Sequence, residues 1–234
     1  MKAVDHWEDE AERWAAWART PSHDAYWYYR GAFFELVPAP GRATLEVGCG
    51  EGRVSRDLAA LGHVVTGVDV SPTLLRLAAE ADPASTYLVA DGSAVPFPDG
   101  SFDLAVAYNS LMDVDDMPAA VREIARVLEP GGRLCVTITH PLMDAGRRDG
   151  DRFVIEGSYF GRRRFEGTFE RDGLTVTFKG WCYPLEAYAR ALEDAGFEIE
   201  AIREPLPSPD APERFGEHHR IPMFLMLRAR RYVE

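Results

Sequence analysis

The sequence predicts an α/β fold in which a mostly parallel sheet carries helices on both faces. Short, continuous apolar runs alternate with helix-like segments, and glycine or proline marks most of the changes between them. The length of 234 residues and a hydrophobic share of 46% suit one domain with a full core. We therefore expect residues 1–234 to form a single domain.

Two helix-like segments precede the first strand. Between residues 5 and 19, apolar side chains recur at helical spacing with charged residues between them, and a second, aromatic-rich segment ends near Pro38. We interpret residues 1–40 as an N-terminal helical cap. Its aromatic side chains either pack the helices against the sheet or form a lid over a ligand, and the sequence leaves both readings open.

A core of alternating strands and helices is expected over residues 43–140. Ser71 and Pro72 indicate the start of one helix, because serine caps a helix and proline fits its first turn. The acidic run from Asp113 to Asp116 is interpreted as the start of another helix rather than as a metal site, since carboxylates suit a helix N-terminus. Strands are expected at 43–47, 63–69, 87–90, 102–108 and 133–139.

The pattern changes after His140. Two alternating segments flank Asp172 and Gly173, a pair that favours the tight turn of a β-hairpin. We interpret residues 144–183 as an insertion or lid over one end of the sheet, since forty residues are marginal for a separate core. Its arginines either hold an acidic substrate or form a solvated face. Residues 184–234 are expected to add a helix at 185–195 and strands at 197–203 and 221–228.

Composition limits the partners that the chain can have. It carries 38 acidic and 26 basic side chains, and a net charge of −12 repels a phosphate backbone, so nucleic acid is not expected. Three scattered cysteines predict neither a disulfide framework nor a metal site and fit a reducing cytoplasm. An acidic N-terminus and the lack of any apolar stretch of about 18 residues predict neither a signal peptide nor a membrane partner.

A glycine-rich run follows the first expected strand and opens a helix. Residues 46–52 read Glu-Val-Gly-Cys-Gly-Glu-Gly, and Asp69 ends the second strand about twenty residues later. In open α/β sheets, ligands bind at the carboxyl ends of the strands, and glycine lets a ligand approach the backbone. A carboxylate at the end of the second strand can hold two ribose hydroxyls. The run therefore predicts a site for a nucleoside cofactor.

Glycine spacing and charge separate two classes of cofactor. A dinucleotide requires G-x-G-x-x-G, so that a helix N-terminus can hold its pyrophosphate. Here Gly52 comes one position early, and Arg53 stands where the third glycine belongs. Glu46 and Glu51 flank the loop and would repel a pyrophosphate, but they suit a sulfonium and an amino group. These residues favour S-adenosylmethionine over NAD.

Five ordered stretches resemble the class I S-adenosylmethionine-dependent methyltransferases, in the group that acts on small molecules. The resemblance covers about residues 43–140 and implies a Rossmann-like fold of seven strands, with an antiparallel strand beside the fifth. It also implies methyl transfer to an oxygen, nitrogen or carbon of a small-molecule acceptor, with S-adenosylhomocysteine as product. A non-catalytic protein with the same cofactor pocket is the alternative. The matching stretches are 45–53, 67–71, 90–97, 102–107 and 126–132.

Position by position, the resemblance implies a cofactor site along the strand ends. Glu46 stands where the family often has aspartate and would support the methionyl ammonium. Asp69 would hold the ribose, Asp91 the adenine amino group, and Asn109 would lie beside the methionyl part. The expected cofactor-binding residues are Glu46, Gly48, Cys49, Gly50, Gly52, Asp69, Val70, Asp91, Gly92, Ser93 and Asn109.

His140 is the candidate catalytic residue. It ends the fifth expected strand, on the side where an acceptor should enter. A histidine with a pKa of about 6.5 can take a proton from an attacking hydroxyl or amine. The alternative is a histidine that only bonds a neighbouring backbone group. The sequence does not name the acceptor, and a monomer and a homodimer are both compatible with it.

Overall fold

The computed structural model describes residues 3–21, 23–150 and 152–232. Seven α-helices and eleven strands are described in these ranges, together with a 3₁₀ turn at Glu213–His219. The helices are α1 (Ala3–Arg19), α2 (Tyr26–Phe34), α3 (Arg53–Ala60), α4 (Pro72–Ala81), α5 (Met117–Val127), α6 (Pro141–Asp144) and α7 (Leu185–Asp194). The strands are β1 (Thr44–Val47), β2 (Val65–Asp69), β3 (Thr86–Val89), β4 (Phe102–Tyr108), β5 (Leu128–Thr139), β6 (Gly146–Asp149), β7 (Arg152–Ile155), β8 (Arg163–Arg171), β9 (Leu174–Cys182), β10 (Phe197–Arg203) and β11 (Phe224–Arg231).

Seven of the strands form one sheet in the order β10-β11-β5-β4-β1-β2-β3. The pairs among β1 to β5 are parallel, whereas β11 runs antiparallel between β5 and β10. Phe224 of β11 lies opposite Thr139 of β5, so the last strand takes the place that the resemblance implied. The Rossmann-like fold with a seven-stranded, mostly parallel sheet is confirmed.

Helices cover both faces of the sheet, as alternate residues of β4 show. Leu104, Val106 and Tyr108 are buried in one core with α2 and α3, whereas Ala105 and Ala107 are buried in the other with α5 and α7. Successive side chains of a strand point to opposite faces, so a strand buried on both sides reads as continuously apolar. The pattern that predicted the fold therefore reflects this double packing.

Two expected helix starts are confirmed by their caps. The Ser71 hydroxyl accepts a hydrogen bond from the Leu74 N–H at 3.1 Å, and the Asp116 carboxylate accepts one from the Ala119 N–H at 3.0 Å. Each cap is followed by proline in the first turn. Such a cap stabilises a helix by about 1 kcal/mol. Asp116 thus serves the helix as predicted, while Asp113 lies outside it.

Strand β5 begins earlier than the sequence indicated, at Leu128 instead of residue 133. Phe102 pairs with Leu128 and Leu104 with Arg133, so the ladder between β4 and β5 is interrupted by an irregularity. The Pro-Gly-Gly run at residues 130–132 lies within this bulged start of the strand. Bulges insert extra residues on one strand without ending the pairing.

The segment between β5 and α7 forms two hairpins outside the main sheet. The predicted hairpin is β8–β9, and its turn residues Asp172 and Gly173 have φ values of 49° and 79°. The pair β6–β7 and the short helix α6 were not expected, because strands of four charged and apolar residues give little periodic signal. The longest helix, α1, has 17 residues and is charged along one face. Within the described ranges, no helix combines the length and apolarity needed to span a bilayer.

Candidate functional site

The predicted site residues converge because the parallel strands end at one edge of the sheet. Val47 lies opposite Val68, and Tyr108 lies opposite Thr137. The segments that follow β1, β2, β3, β4 and β5 therefore emerge side by side. They carry the glycine loop, Asp69 with Val70, the run 91–93, Asn109 and His140.

The backbone conformation of the loop between β1 and α3 favours glycine at three positions. Gly48, Gly50 and Gly52 have φ values of 71°, 55° and 82°, a region that favours glycine. A Cβ atom at position 48 would overlap the side chain of Ser110, whose hydroxyl donates to the Val47 carbonyl at 2.6 Å. Gly52 is the N-cap residue of α3. The loop thus keeps its backbone open at the carboxyl end of β1.

Asp69 connects this loop to the end of β2. Its Oδ2 accepts the Gly50 N–H at 2.8 Å, and its Oδ1 accepts the Ser71 N–H at 2.9 Å. Burial raises the pKa of Asp69, and these backbone hydrogen bonds oppose the rise. Each carboxylate oxygen has a second lone pair, so Asp69 can still accept bonds from two hydroxyls. Val70 follows it, half-buried.

The two glutamates of the loop are placed differently from each other. Glu46 is 2% exposed and accepts a hydrogen bond from the Ser55 hydroxyl, and burial raises its pKa to about 8. Glu51 is also buried, but Arg19 and Arg56 each bind its carboxylate at 2.8 Å. The two arginines balance the charge of Glu51. Glu51 therefore presents no free negative charge to a ligand, which differs from the expectation from the sequence. A pKa of about 8 favours the protonated form of Glu46 at neutral pH.

Arg53 stands at the start of α3, where the dinucleotide-binding pattern has its third glycine. Its guanidinium lies 3.0 Å from Asp24 and stacks on the rings of Trp14 and Tyr26, at 5.0 and 4.5 Å from their centroids. A charge-assisted pair of this kind, buried among aromatic rings, fixes α1 and α2 over the glycine loop. Arg53 therefore connects the start of α3 to the N-terminal helices.

Cys49 has a packing role at this site. Its side chain is 5% exposed, and burial raises the pKa of its thiol. A Cβ atom at Gly67 would lie 2.8 Å from the Cys49 Sγ, so the loop packs closely on β2 there. A protonated, enclosed thiol is chemically inert.

The run after β3 folds back against β1. Asp91 Oδ1 accepts the Ser93 N–H at 2.8 Å and the Ser93 hydroxyl at 2.7 Å. A Cβ atom at Gly92 would lie 2.8 Å from Val47 Cγ1, which is why glycine stands there. In the described part of the chain, Asp91 Oδ2 accepts no hydrogen bond, so it is available to an amino group.

Asn109 follows β4 in a left-handed conformation with φ of 52°. Its N–H donates to the Thr137 carbonyl at 2.8 Å, while its side-chain Oδ1 is buried and receives no hydrogen bond from a described residue. Buried acceptors are almost always paired, so this oxygen indicates a missing donor. A ligand N–H beside the glycine loop would satisfy it.

His140 lies where the sequence placed it, directly after β5. Its Nδ1 accepts the Leu142 N–H at 3.1 Å, and its Nε2 lies 2.8 Å from Glu204 Oε1. These partners imply a proton on Nε2, so the lone pair of Nδ1 is already used as the cap of α6. To act as a base, His140 must first release this bond. The catalytic role stays a prediction.

Helix α1 covers the glycine loop, an arrangement that the sequence left undecided. Trp14 Nε1 lies 3.3 Å from where a Cβ of Gly50 would stand, and Trp14 packs edge-to-face on Phe178 of β9. On its other side, Glu8 accepts hydrogen bonds from Ser71 and Thr73 at the start of α4. Trp14 thus packs against β9 and also lies over the loop at Gly50, whereas a lid role for the other aromatic residues stays a prediction.

The structure adds two carboxylates that the sequence did not single out, Asp113 and Asp144. Burial raises the pKa of both, to about 7 for Asp144. Each stands four residues beyond a predicted site residue, Asn109 or His140. This spacing was the only feature of the sequence that could have identified the two carboxylates. The acidic run around Asp113 was interpreted as the start of a helix instead.

Comparisons with known proteins agree with this geometry. Residues 45–136 match the family model described as a methyltransferase domain. The chain is 38% identical over 184 residues to a demethylmenaquinone methyltransferase of Tropheryma whipplei, covering 75% of this chain and 74% of the relative. It is 40% identical over 165 residues to a 2-methyl-6-phytyl-1,4-hydroquinone methyltransferase of Synechocystis, covering 67% of this chain and 46% of the relative.

A solved structure gives the same result. The S-adenosylmethionine-dependent methyltransferase of Mesorhizobium loti superposes with a TM-score of 0.70 at 29% identity, covering 89% of this chain and 98% of that one. Identity, coverage and fold together show that this chain belongs to the S-adenosylmethionine-dependent methyltransferases. The family's cofactor also fits the residues present, because the open glycine loop, the spare lone pairs of Asp69 and the orphaned Asn109 oxygen match a ribose and an amino group.

Proposed function

We propose that this protein binds S-adenosylmethionine at the strand ends and transfers its methyl group to a small-molecule acceptor, releasing S-adenosylhomocysteine. The observation that carries the proposal is the direct bond between Gly50 and Asp69, because it joins the loop for the methionyl part to the carboxylate for the ribose. The family membership supports the same reading.

The residues of the chain would bind and align the reactants. The bound cofactor supplies a methyl group that its sulfonium already activates. Gly48, Gly50 and Gly52 would admit the methionyl part, Asp69 would hold the ribose, and Asp91 Oδ2 would accept the adenine amino group. Correct alignment can lower the barrier of such a displacement by roughly 7–11 kcal/mol. Positioning is therefore the main contribution that we assign to the protein.

Exclusion of water is the second contribution. Trp14 lies over Gly50, and Phe178 of β9 packs on Trp14, so α1 and the β8–β9 hairpin enclose the strand ends from two sides. An enclosed site of low polarity strengthens every electrostatic contact inside it. His140 would accept the proton of a protonated nucleophile, which adds about 10²–10⁴-fold to a rate.

The acceptor is proposed to be a small molecule, with the methylated atom open among oxygen, nitrogen and carbon. Two relatives carry the names of demethylmenaquinone and hydroquinone methyltransferases, which supports a small-molecule acceptor. The net charge of −12 disfavours nucleic acid as acceptor. Cys49, Cys135 and Cys182 are all buried and free, which supports a reducing, cytoplasmic setting.

Transfer of a labelled methyl group tests the proposal. The protein and its Asp69→Ala variant are incubated with S-adenosylmethionine carrying a tritiated methyl group and a panel of amines, phenols, alcohols and quinols. We expect labelled product with the wild type and at least a hundredfold less with the variant. Tight cofactor binding without transfer to any panel member would support the non-catalytic alternative instead.

A further inference from the structure

The space beside the cofactor residues contains two carboxylates that the proposed function leaves unused. Asp113 lies in the turn after β4, whose Met112 carbonyl accepts the Trp181 N–H of β9 at 2.9 Å. A Cβ atom at Gly180 would lie 2.6 Å from Asp113 Oδ1, so β9 passes directly over this carboxylate. Asp144 ends α6, and the Arg163 guanidinium binds its backbone carbonyl at 2.6 Å, not its carboxylate.

Among the residues that the structure describes, no cation compensates Asp113. Burial raises the pKa of Asp113 well above its usual value, and the negative charges of Asp69 and Asp144 add to this rise. Within the described residues, its carboxylate accepts no hydrogen bond. Asp113 is half-buried beneath β9. A partly enclosed carboxylate without a partner is destabilised, and a cationic or hydrogen-donating ligand relieves that cost.

A tyrosine at the same place also lacks a partner. Tyr188 of α7 is 4% exposed, and its hydroxyl makes no hydrogen bond with a described residue. Met112 and Val114, the two neighbours of Asp113, pack against the cluster that contains Tyr188. Burial raises the pKa of Tyr188, and the charges of Asp144 and Asp113 add to the rise. Its ring packs against Tyr183 at 5.5 Å between centroids, and the buried Tyr183 hydroxyl is unpartnered too. Aromatic rings beside carboxylates are a favourable environment for an ammonium group.

We propose that Asp113 and Tyr188 recognise a positively charged amino group of the methyl acceptor, so that the substrate is a small basic amine. The inference rests on the proposed function, and it concerns which acceptor binds, not which atom receives the methyl group. Asp113 acts as a specificity-determining residue: its carboxylate pairs with the ammonium, and the Tyr188 hydroxyl accepts a hydrogen bond from it. The two negative neighbours, Asp69 and Asp144, exclude acidic acceptors.

Matched probes test the inference. The protein saturated with S-adenosylhomocysteine is titrated calorimetrically with tyramine, 2-phenylethylamine and a wider set of primary amines, each beside the alcohol and the carboxylic acid of the same carbon skeleton. We expect saturable binding of amines, at least tenfold tighter than that of their alcohols, and no binding of the acids. Equal affinity for alcohols, preference for acids, or no amine binding at all would overturn the inference.

Three variants separate recognition from structure. Asp113→Asn keeps the shape of the side chain and should weaken amine binding at least thirtyfold, as expected when one partner of a buried charge pair is removed. Tyr188→Phe removes only the unpartnered hydroxyl and should weaken it severalfold. Asp115→Asn makes the same charge change two residues away, at an exposed side chain, and should have no effect.

Cofactor affinity and the methyl-transfer panel distinguish the remaining outcomes. Asp113→Asn should leave the thermal midpoint and the affinity for S-adenosylhomocysteine unchanged. Weaker S-adenosylmethionine binding with unchanged amine binding would assign Asp113 to the cofactor and overturn the inference. Methylation of neutral acceptors alone would overturn it while leaving the proposed function intact. Amine binding without any methyl transfer would support recognition while contradicting the proposed function.

Discussion

The backbone N–H of Gly50 donates a 2.8 Å hydrogen bond to Asp69 Oδ2, which ties the loop after β1 to the end of β2. The same carboxylate accepts the Ser71 N–H through Oδ1 at 2.9 Å, so one side chain fixes the loop and the start of α4. Cofactor affinity and local structure therefore depend on one residue.

Replacing Asp69 by alanine should abolish cofactor binding. The variant loses both ribose acceptors and leaves the Gly50 and Ser71 N–H groups without their partner, so we expect affinity to fall at least a hundredfold. The free energy of unfolding should also fall by about 1–3 kcal/mol. Titration calorimetry and denaturant unfolding measure the two effects. Glu186→Gln, an exposed carboxylate paired with Arg190, is the control and should change neither. Unaltered affinity in Asp69→Ala would exclude the ribose role.

Replacing Gly48 by alanine should destabilise the protein and close the loop. The residue has φ of 71°, and the added methyl group would overlap Ser110. Left-handed strain and overpacking together should cost about 2–4 kcal/mol. Gly31→Ala is a matched control, since it lies in α2 with no atom within 4 Å of the new methyl group. Helix propensity should make that variant more stable by up to about 1 kcal/mol. Equal behaviour of the two variants in thermal unfolding would contradict this account.

Glu46 should make the unliganded protein less stable as the pH rises. Burial raises its pKa to about 8, whereas the unfolded chain has a value of about 4.5, so the folded state binds the extra proton between these limits. Its stabilising contribution is complete below pH 4.5 and is lost as the pH rises through 8. Glu46→Gln can still accept the Ser55 bond and should be more stable than wild type above pH 8 by roughly 2–5 kcal/mol.

Unfolding by urea at a series of pH values checks this dependence. The advantage of Glu46→Gln should shrink to zero as the pH approaches 4.5. Glu80→Gln, an exposed carboxylate paired with Arg76 across one helical turn, provides the comparison and should show no such trend. A pH-independent difference between Glu46→Gln and wild type would show that Glu46 is ionised in the folded state.

His140→Asn separates the capping role of the histidine from a role as base. The asparagine Oδ1 can accept the Leu142 N–H in place of Nδ1, so α6 should remain capped. If His140 takes the proton of the nucleophile, turnover should fall at least a hundredfold with unchanged cofactor affinity. Steady-state kinetics with an acceptor found in the panel make the measurement. Normal turnover would leave His140 with the cap alone.

The sheet could be predicted from the sequence because its central strands, such as β1 and β4, are buried on both faces. Continuous apolar runs such as those of β1 and β4 carry that information locally, and the glycines mark where the chain must turn sharply. The hairpin β6–β7 was not predicted because its strands have four residues each, too few to show a clear alternation of polar and apolar side chains. The bulged start of β5 depends on the ladder with β4, which no local pattern records.

The site residues that lie at the ends of strands could be predicted from the sequence. Those whose environment depends on contacts between distant parts of the chain could not. Asp69 and Asn109 follow strand ends, so the sequence brings them together. Arg19 of α1 and Arg56 of α3 balance the charge of Glu51, and this pairing is visible only in the folded chain. The enclosure of Asp113 depends on β9, which is about seventy residues away in the chain and passes over this carboxylate.

Calorimetric titration of the purified protein tests the identity of the cofactor. S-adenosylmethionine, S-adenosylhomocysteine and NAD are titrated separately into protein shown to be folded and free of bound ligand. We predict micromolar or tighter binding of the two sulfur compounds and none of NAD. Absence of binding by both sulfur compounds, or binding of NAD alone, would contradict the account.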